Sequence, residues 1–275
     1  MQVLKSLLLV GLLAYASADS AIGATPSIST AGWACTGDCG TSGANGVVPL
    51  SPYPGTAAYG WVSSTGGVTG LGLPGIGGSG SATDGSRIRS GIFAATAGQT
   101  LSFYFDYVTS DGAGYADYAW ARLLDSGGTQ VALLFTARTT PGGSTVPGFS
   151  MPPPTATLVP ASIPIIPGAP TWAPLGGSSG SCYATGCGYT GWVQATYAIP
   201  ASGNYQLEIG VVNWNDTAYD SGIAFDGATI GGAPIGGGGG VAQQIPTLNE
   251  YSFVAIIVLL AGLGVWQARK RLLRG

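Results

Sequence analysis

Seven acidic residues fall in two glycine-rich parts of the sequence: Asp106, Asp111 and Asp117, then Glu208, Asp216, Asp220 and Asp226. Carboxylates support two kinds of chemistry. Two of them at a suitable separation hydrolyse a glycosidic bond, and several oxygen donors gathered in loops hold calcium, which takes six to eight hard oxygen ligands. No spacing here selects a catalytic pair. Asp111-Gly112-Ala113-Gly114 and Asn213 to Asp220 do concentrate oxygen donors in flexible loops, so Asp106, Asp111, Asp117, Asp216, Asp220 and Asp226 are the candidate ligands of a structural calcium ion. The pattern is not that of an EF-hand. Asp and Asn at such places also cap turns and keep a charge-poor surface soluble, which needs no ion.

The chain has no histidine, which removes Ser-His-Asp and Cys-His catalysis and most zinc enzymes. With no acid pair selected either, the chain is expected not to be an enzyme and to need no cofactor beyond that calcium. Its four cysteines form two local pairs, Cys35 with Cys39 and Cys182 with Cys187. In an exported protein such pairs become disulfides, each closing a short loop. A four-thiolate zinc site and cross-pairing between the two loops are the alternatives left open. Aromatic residues offer a third chemistry: Tyr104, Tyr115, Tyr118, Trp120, Trp172, Tyr183, Tyr189, Trp192, Trp214 and Tyr219 outnumber what loops of a small domain need. Some of them can form a platform on which sugar rings stack while Asp or Asn accepts their hydroxyls; ordinary packing is the competing use.

These residues must be positioned by strands. From Gln99 to Tyr107, Leu101, Phe103, Phe105 and Tyr107 alternate with Ser102, Tyr104 and Asp106, the period of a half-buried strand. Ala119 to Leu124 and Thr129 to Ala137 form a hairpin through Asp125-Ser126-Gly127-Gly128, whose glycines can take a positive φ. Further strands are expected at Trp192 to Ile199, Tyr205 to Val211 and Ile223 to Ile230. No outer stretch keeps helical periodicity without a glycine, so the expected fold is all-β: a sandwich, jelly-roll-like, spanning residues 19–230. Ten of the 18 prolines lie from Pro141 to Pro174, which makes 141–174 an extended excursion from the sandwich. A glycine-rich linker, 231–244, follows.

Composition bounds the partners. Between the two ends the chain carries four arginines against eleven acids, a net charge of −7. Nucleic acid is therefore excluded as a partner, since phosphate binding needs clustered cations.

The ends specify a route. Lys5, an apolar run from Leu7 to Ala14 and the small residues Ala16-Ser17-Ala18 read as a signal peptide, residues 1–18. At the other end Tyr251 to Ala268 is nearly all apolar. As a helix it spans roughly 27 Å, enough to cross a thin bilayer, and Arg269, Lys270, Arg271 and Arg274 behind it fix the preceding chain outside. Before this segment stand Ile245, Pro246, Thr247 and Leu248, followed by Asn249-Glu250. Motif, apolar segment and basic end, residues 245–275, resemble an IPTL-CTERM sorting signal, a variant of the PEP-CTERM signals processed by exosortases in Gram-negative bacteria. Tyr251 and Ser252 stand where that family usually has tryptophan and glycine. The segment from Ala82 to Ile230, with Tyr-Val-Thr-Ser-Asp-Gly-Ala-Gly-Tyr-Ala-Asp-Tyr at 107–118 and Val-Asn-Trp-Asn-Asp-Thr-Ala-Tyr at 212–219, also looks like the body of PEP-CTERM-type surface proteins. The resemblance implies a precursor anchored in the inner membrane, an exosortase as processing partner, and a mature form at the surface or released. The expected role is structural or adhesive, with binding of extracellular polysaccharide as the alternative and a carboxylate-dependent glycosidase third.

Overall fold

Eight long strands arise wherever a run of the chain can bury one face. They are β1 (Tyr59–Ser63), β2 (Ala82–Arg89), β3 (Thr100–Thr109), β4 (Tyr118–Asp125), β5 (Gln130–Arg138), β6 (Val193–Ala198), β7 (Gly203–Trp214) and β8 (Ser221–Ile230). They come from a computed structural model that describes residues 32–142 and 144–235. The expected signal peptide, most of the linker, the motif at 245–248 and the apolar segment from Tyr251 lie outside these residues. Among the described residues no helix is long and apolar enough to cross a membrane.

All pairings are antiparallel and form two sheets. One has the order β2-β7-β4-β5, extended at the β2 edge by Ala34–Thr36; the other has the order β6-β3-β8-β1, extended by Thr157–Val159 at one edge and Asp38–Ser42 at the other. Successive long strands cross from sheet to sheet, except β4 and β5, which form the expected hairpin with Gly128 at φ +84°. Two antiparallel sheets packed face to face make a β-sandwich.

The inward faces follow the alternation. Leu101, Phe103, Phe105 and Tyr107 are fully buried, and Phe105 stacks on Phe135 of β5 with ring centroids 3.8 Å apart. Val193 and Ala195 on β6, Leu207 and Ile209 on β7, and Ile223 and Phe225 on β8 join the same core. The strands run longer than the apolar pattern at β7, which continues to Trp214.

Both outer faces are covered as well, which the alternation did not indicate. The proline-rich segment packs back onto the sandwich rather than leaving it: Thr157–Val159 pairs with β6, and Val146, Met151, Ile163 and Trp172 are buried. Trp172 and Leu175 cover Tyr59, Val108 and Ala224 on the outside of one sheet. Leu73 and Met151 cover Tyr118, Trp120, Val212 and Trp214 on the outside of the other. Asp106, expected on a solvent face, is consequently buried completely. The helical content of the described residues is confined to Ala173–Ser178, 3-10 turns broken by a kink at Gly176, whose φ is +54°.

Candidate functional site

Three loops meet at one end of the sandwich: residues 110–117 between β3 and β4, residues 182–187, and residues 215–220 between β7 and β8. The disulfide between Cys182 and Cys187 closes the middle loop, with Cα atoms 5.6 Å apart. Backbone bonds fasten it to the first loop, Tyr183 N donating to Ser110 O at 2.9 Å and Ala113 N donating to Thr185 O at 3.1 Å. In the third loop Asp216 Oδ1 accepts from Ala218 N at 2.9 Å, a turn closed by its own side chain. Asn215 and Tyr219 there hold φ +73° and +58°, left-handed values that non-glycine residues seldom adopt. The second disulfide, Cys35 to Cys39, lies elsewhere, beside β2. Both pairings are the local ones anticipated, and no cysteine is free for zinc.

Each loop contributes an exposed tyrosine. Tyr115 is 38% exposed, Tyr183 48% and Tyr219 37%. Tyr183 lies edge-on to Tyr115, with centroids 5.5 Å apart, and against Tyr219 at 5.1 Å. The Tyr183 phenol is pushed up first by Tyr115 and then by desolvation, Asp111 and Asp216. The other seven aromatics singled out do different work. Tyr118, Trp120 and Trp172 are fully buried, Trp214 is 5% exposed, and Tyr104, Tyr189 and Trp192 are half-buried.

Beneath the tyrosines lie two carboxyls. Asp117 Oδ1 accepts from Trp214 N at 2.8 Å and Oδ2 from Ser221 Oγ at 2.7 Å; Asp111 Oδ1 accepts from Gly112 N at 2.7 Å. Burial pushes both up, and their mutual repulsion adds to it at Asp117. Two carboxyls buried in such surroundings favour their protonated forms. Both are buried, so neither faces a sugar bond in solvent.

The remaining acids are dispersed. Asp220 accepts from Ser64 Oγ and Ser178 Oγ, each at 3.1 Å, and from Asn213 Nδ2 at 3.3 Å. Asp226 accepts from the Ser51 hydroxyl and from Gly227 N. Asp106 accepts from Thr190 Oγ1 at 3.2 Å, and burial pushes its carboxyl up to about 7. Thus Asp111, Asp117 and Asp216 lie in the loops at one end, while Asp106 and Asp226 sit within two paired strands of one sheet. Among the described residues no three acidic or cysteine side chains converge as ligands of one ion.

Next to the tyrosines a cleft of about 400 Å³ opens, lined by Gly78, Ser79, Arg138, Phe149, Ser150 and Trp214 among others. A second hollow of about 400 Å³ shares Ala113, Gly114 and Phe149 with it and continues to Thr139 and Pro141. Arg138 Nε donates to Ala116 O at 2.8 Å and Nη1 to Gly77 O at 2.8 Å, and its guanidinium lies 4.4 Å from the Trp214 ring centroid. Neither Arg138 nor Phe149, which is 58% exposed, stands out in the sequence. Phe149 sits among prolines, and the arginine ends a strand that reads as ordinary.

By sequence, the chain matches no protein-family model and no curated protein. By fold, it is similar to the K1 cleaved adhesin domain of Lys-gingipain from Porphyromonas gingivalis W83, at 14% identity and TM-score 0.34, over 73% of this chain and 89% of that one. A mannan-recognising carbohydrate-binding module gives 16% identity and TM-score 0.32, over 71% and 85%. The enzymatically active domain of bacteriophage CBA120 tailspike protein 4 gives 12% and 0.33, over 74% of this chain, which spans 20% of that chain's length. Likenesses at these scores decide nothing about function.

Proposed function

We propose that this chain is an exported surface or matrix protein with an adhesive role, whose sandwich, in the interleaved strand order of a jelly roll, holds saccharide at its tyrosine end. The observation that carries the reading is the contact of three exposed rings, Tyr115, Tyr183 and Tyr219, brought from three separate loops. A sandwich gains no core from half-exposed rings. Pyranose rings stack on such faces, and the nearby polar groups of Asn215 and Asp216 suit their hydroxyls. The two disulfides fit an oxidising compartment, in keeping with a cleaved signal peptide and a C-terminal sorting tail read by an exosortase. The role needs no catalytic group, and the buried acid pair is a structural device of the loop end.

The test is a glycan array with the purified protein, followed by calorimetry on any sugar retained. Tyr183→Ala is expected to weaken binding at least tenfold, since stacking on one ring contributes about 0.5–1.5 kcal/mol beyond area burial and Tyr183 touches both partners. An array with no reproducible hit, or unchanged affinity in the variant, rejects the platform.

A further inference from the structure

Three of the four arginines in the described residues, Arg87, Arg89 and Arg122, converge on Glu208, whereas Arg138 forms no ion pair among them. Arg138 is 2% exposed. An ion buried to this degree is costly unless partnered. Its Nε and Nη1 donate to the carbonyls of Ala116, Gly77 and, at 3.4 Å, Phe149, and its plane packs on Trp214. These are neutral partners. The second terminal nitrogen, Nη2, donates to nothing among the described residues, although the side chain lines the 400 Å³ cleft.

The space before that nitrogen is kept open by a glycine. A Cβ built on Gly78 lies 3.4 Å from Nη1 and 3.7 Å from Nη2, with the Phe149 ring 3.6 Å away. Any side chain there would occupy the approach to the guanidinium. Gly78 holds φ +105°, so the loop is shaped around a residue without one. The acid whose charge reaches the guanidinium is Asp117, and burial together with Asp111 keeps that carboxyl protonated well above the usual range. Among the described residues no carboxylate forms an ion pair with the guanidinium.

We propose that Arg138 and the cleft before it form a subsite for the carboxylate of an acidic saccharide, a uronate, continuous with the tyrosine end through the loop of Ala113, Gly114 and Tyr115. A carboxylate oxygen accepts from Nη2, a charge-assisted bond stronger than a neutral one. Ser79, Ser150 and Phe149 line the same cleft and suit the hydroxyls and apolar face of the ring. The volume falls in the range of small-molecule pockets. One free donor in a domain of net charge −7 suits an isolated carboxylate on a neutral ring, not a phosphate-dense chain. The choice of a saccharide rests on the reading above; the carboxylate requirement does not.

The experiment uses the full chain, trigalacturonate, and the same trisaccharide with its carboxyls reduced to the neutral sugar. Calorimetry is expected to show the acidic form binding at least tenfold tighter, with the advantage shrinking as salt rises. In the same titration the Arg138 Nε–H resonance is expected to shift. Arg138→Gln should abolish the difference between the two sugars. Because that variant removes a buried anchor, Gly78→Ala serves as the second: it keeps the arginine, fills the approach, and should lower trigalacturonate affinity at least tenfold in a protein that still melts cooperatively. Equal affinity for acidic and reduced sugars, an unmoved Arg138 resonance, or binding of neither would overturn the subsite. The tyrosine platform is judged apart from this, by whether Tyr183→Ala weakens binding of the neutral sugars.

Discussion

Arg122 on β4 and Glu208 on β7 stand directly opposite each other, with Arg122 Nε donating to Glu208 Oε1 at 2.5 Å. Arg89 on β2 completes the row from the other side, its Nε donating to Oε2 at 2.5 Å, and Trp120 Nε1 donates to Oε1 at 3.2 Å. Burial alone would push this carboxyl up. The bond and charge of Arg122, then Arg89 and Trp120, outweigh it and hold Glu208 below its usual range. Arg87 adds a third cation at 3.8 Å. Removing the one anion leaves three like charges facing each other beside a buried gap.

Glu208→Ala is accordingly expected to destabilise the domain by about 3–5 kcal/mol, the usual cost of breaking a buried pair, as read from urea unfolding. A loss under 1 kcal/mol would mean that the arginines relax freely into solvent. Because the folded carboxyl is depressed, its contribution is complete above the unfolded value of 4.5 and fades as pH falls through the lower folded value.

The buried aspartates set the opposite slope. Asp106 is raised to about 7, and Asp111 and Asp117 are raised together. A raised acid binds its proton more tightly in the native state, so stability falls as pH climbs from the unfolded value of 3.8 toward about 7. For Asp106 the shift corresponds to roughly 4 kcal/mol at most, at 1.36 kcal/mol for each pH unit. Melting temperature should thus be higher at pH 5 than at pH 8, and Asp106→Asn should flatten the profile. A profile rising from pH 5 to 8 would contradict this.

How much of this was legible depended on where side chains fill space. In β3 the alternating Leu101, Phe103, Phe105 and Tyr107 announce the strand, and the two cysteine pairs announce their own loops. Strands β1, Tyr-Gly-Trp-Val-Ser, and β2, Ala-Thr-Asp-Gly-Ser-Arg-Ile-Arg, carry no such pattern. Glycine stands where an apolar residue would, and the ring of its cross-strand partner, remote in sequence, occupies the room: Phe225 over Gly60, and in β7 Trp120 over Gly210. The burial of Asp106 and the grouping of Tyr115, Tyr183 and Tyr219 depend on loops remote in sequence, which no local period encodes.

That exchange of side chain for cross-strand ring predicts which glycines resist change. At Gly210 a Cβ would strike the Trp120 ring, while at Gly177 it meets nothing within 4 Å. Gly210→Ala should cost about 1–3 kcal/mol through overpacking, and Gly177→Ala should fall within about 0.5 kcal/mol of the parent, as surface changes do. Denaturant melts of the two variants compare them directly; equal stability would mean that Trp120 has another place to go.

The Cys182–Cys187 bridge has a different use. It closes a loop of few residues, so the chain entropy it removes is small, yet it holds the loop that presents Tyr183. Replacing both cysteines by serine is expected to leave cooperative unfolding in place while saccharide affinity falls several-fold, read by calorimetry beside the parent. Unchanged affinity would show that the backbone bonds to Ser110 and Ala113 suffice to place the ring.

The ends of the chain yield the last prediction, which rests on the order of parts in the sequence. A glycine-rich stretch to Gly240 gives an enzyme access to Ile245-Pro246-Thr247-Leu248. Pro246 would stop any helix over the apolar segment from extending backward through the motif, and the four cations from Arg269 are expected to keep the terminus on the cytoplasmic side. An exosortase reading this motif should release the protein without its apolar tail, and signal peptidase should already have cut after Ala18. Intact mass of the protein from native cells is therefore expected to begin at Asp19 and to lack the segment from Tyr251 to Gly275, whereas cells deprived of the exosortase should retain it. If both strains yield protein ending at Gly275, the tail serves only as an anchor, and the sorting role fails while the disulfides and the sandwich stand unaffected.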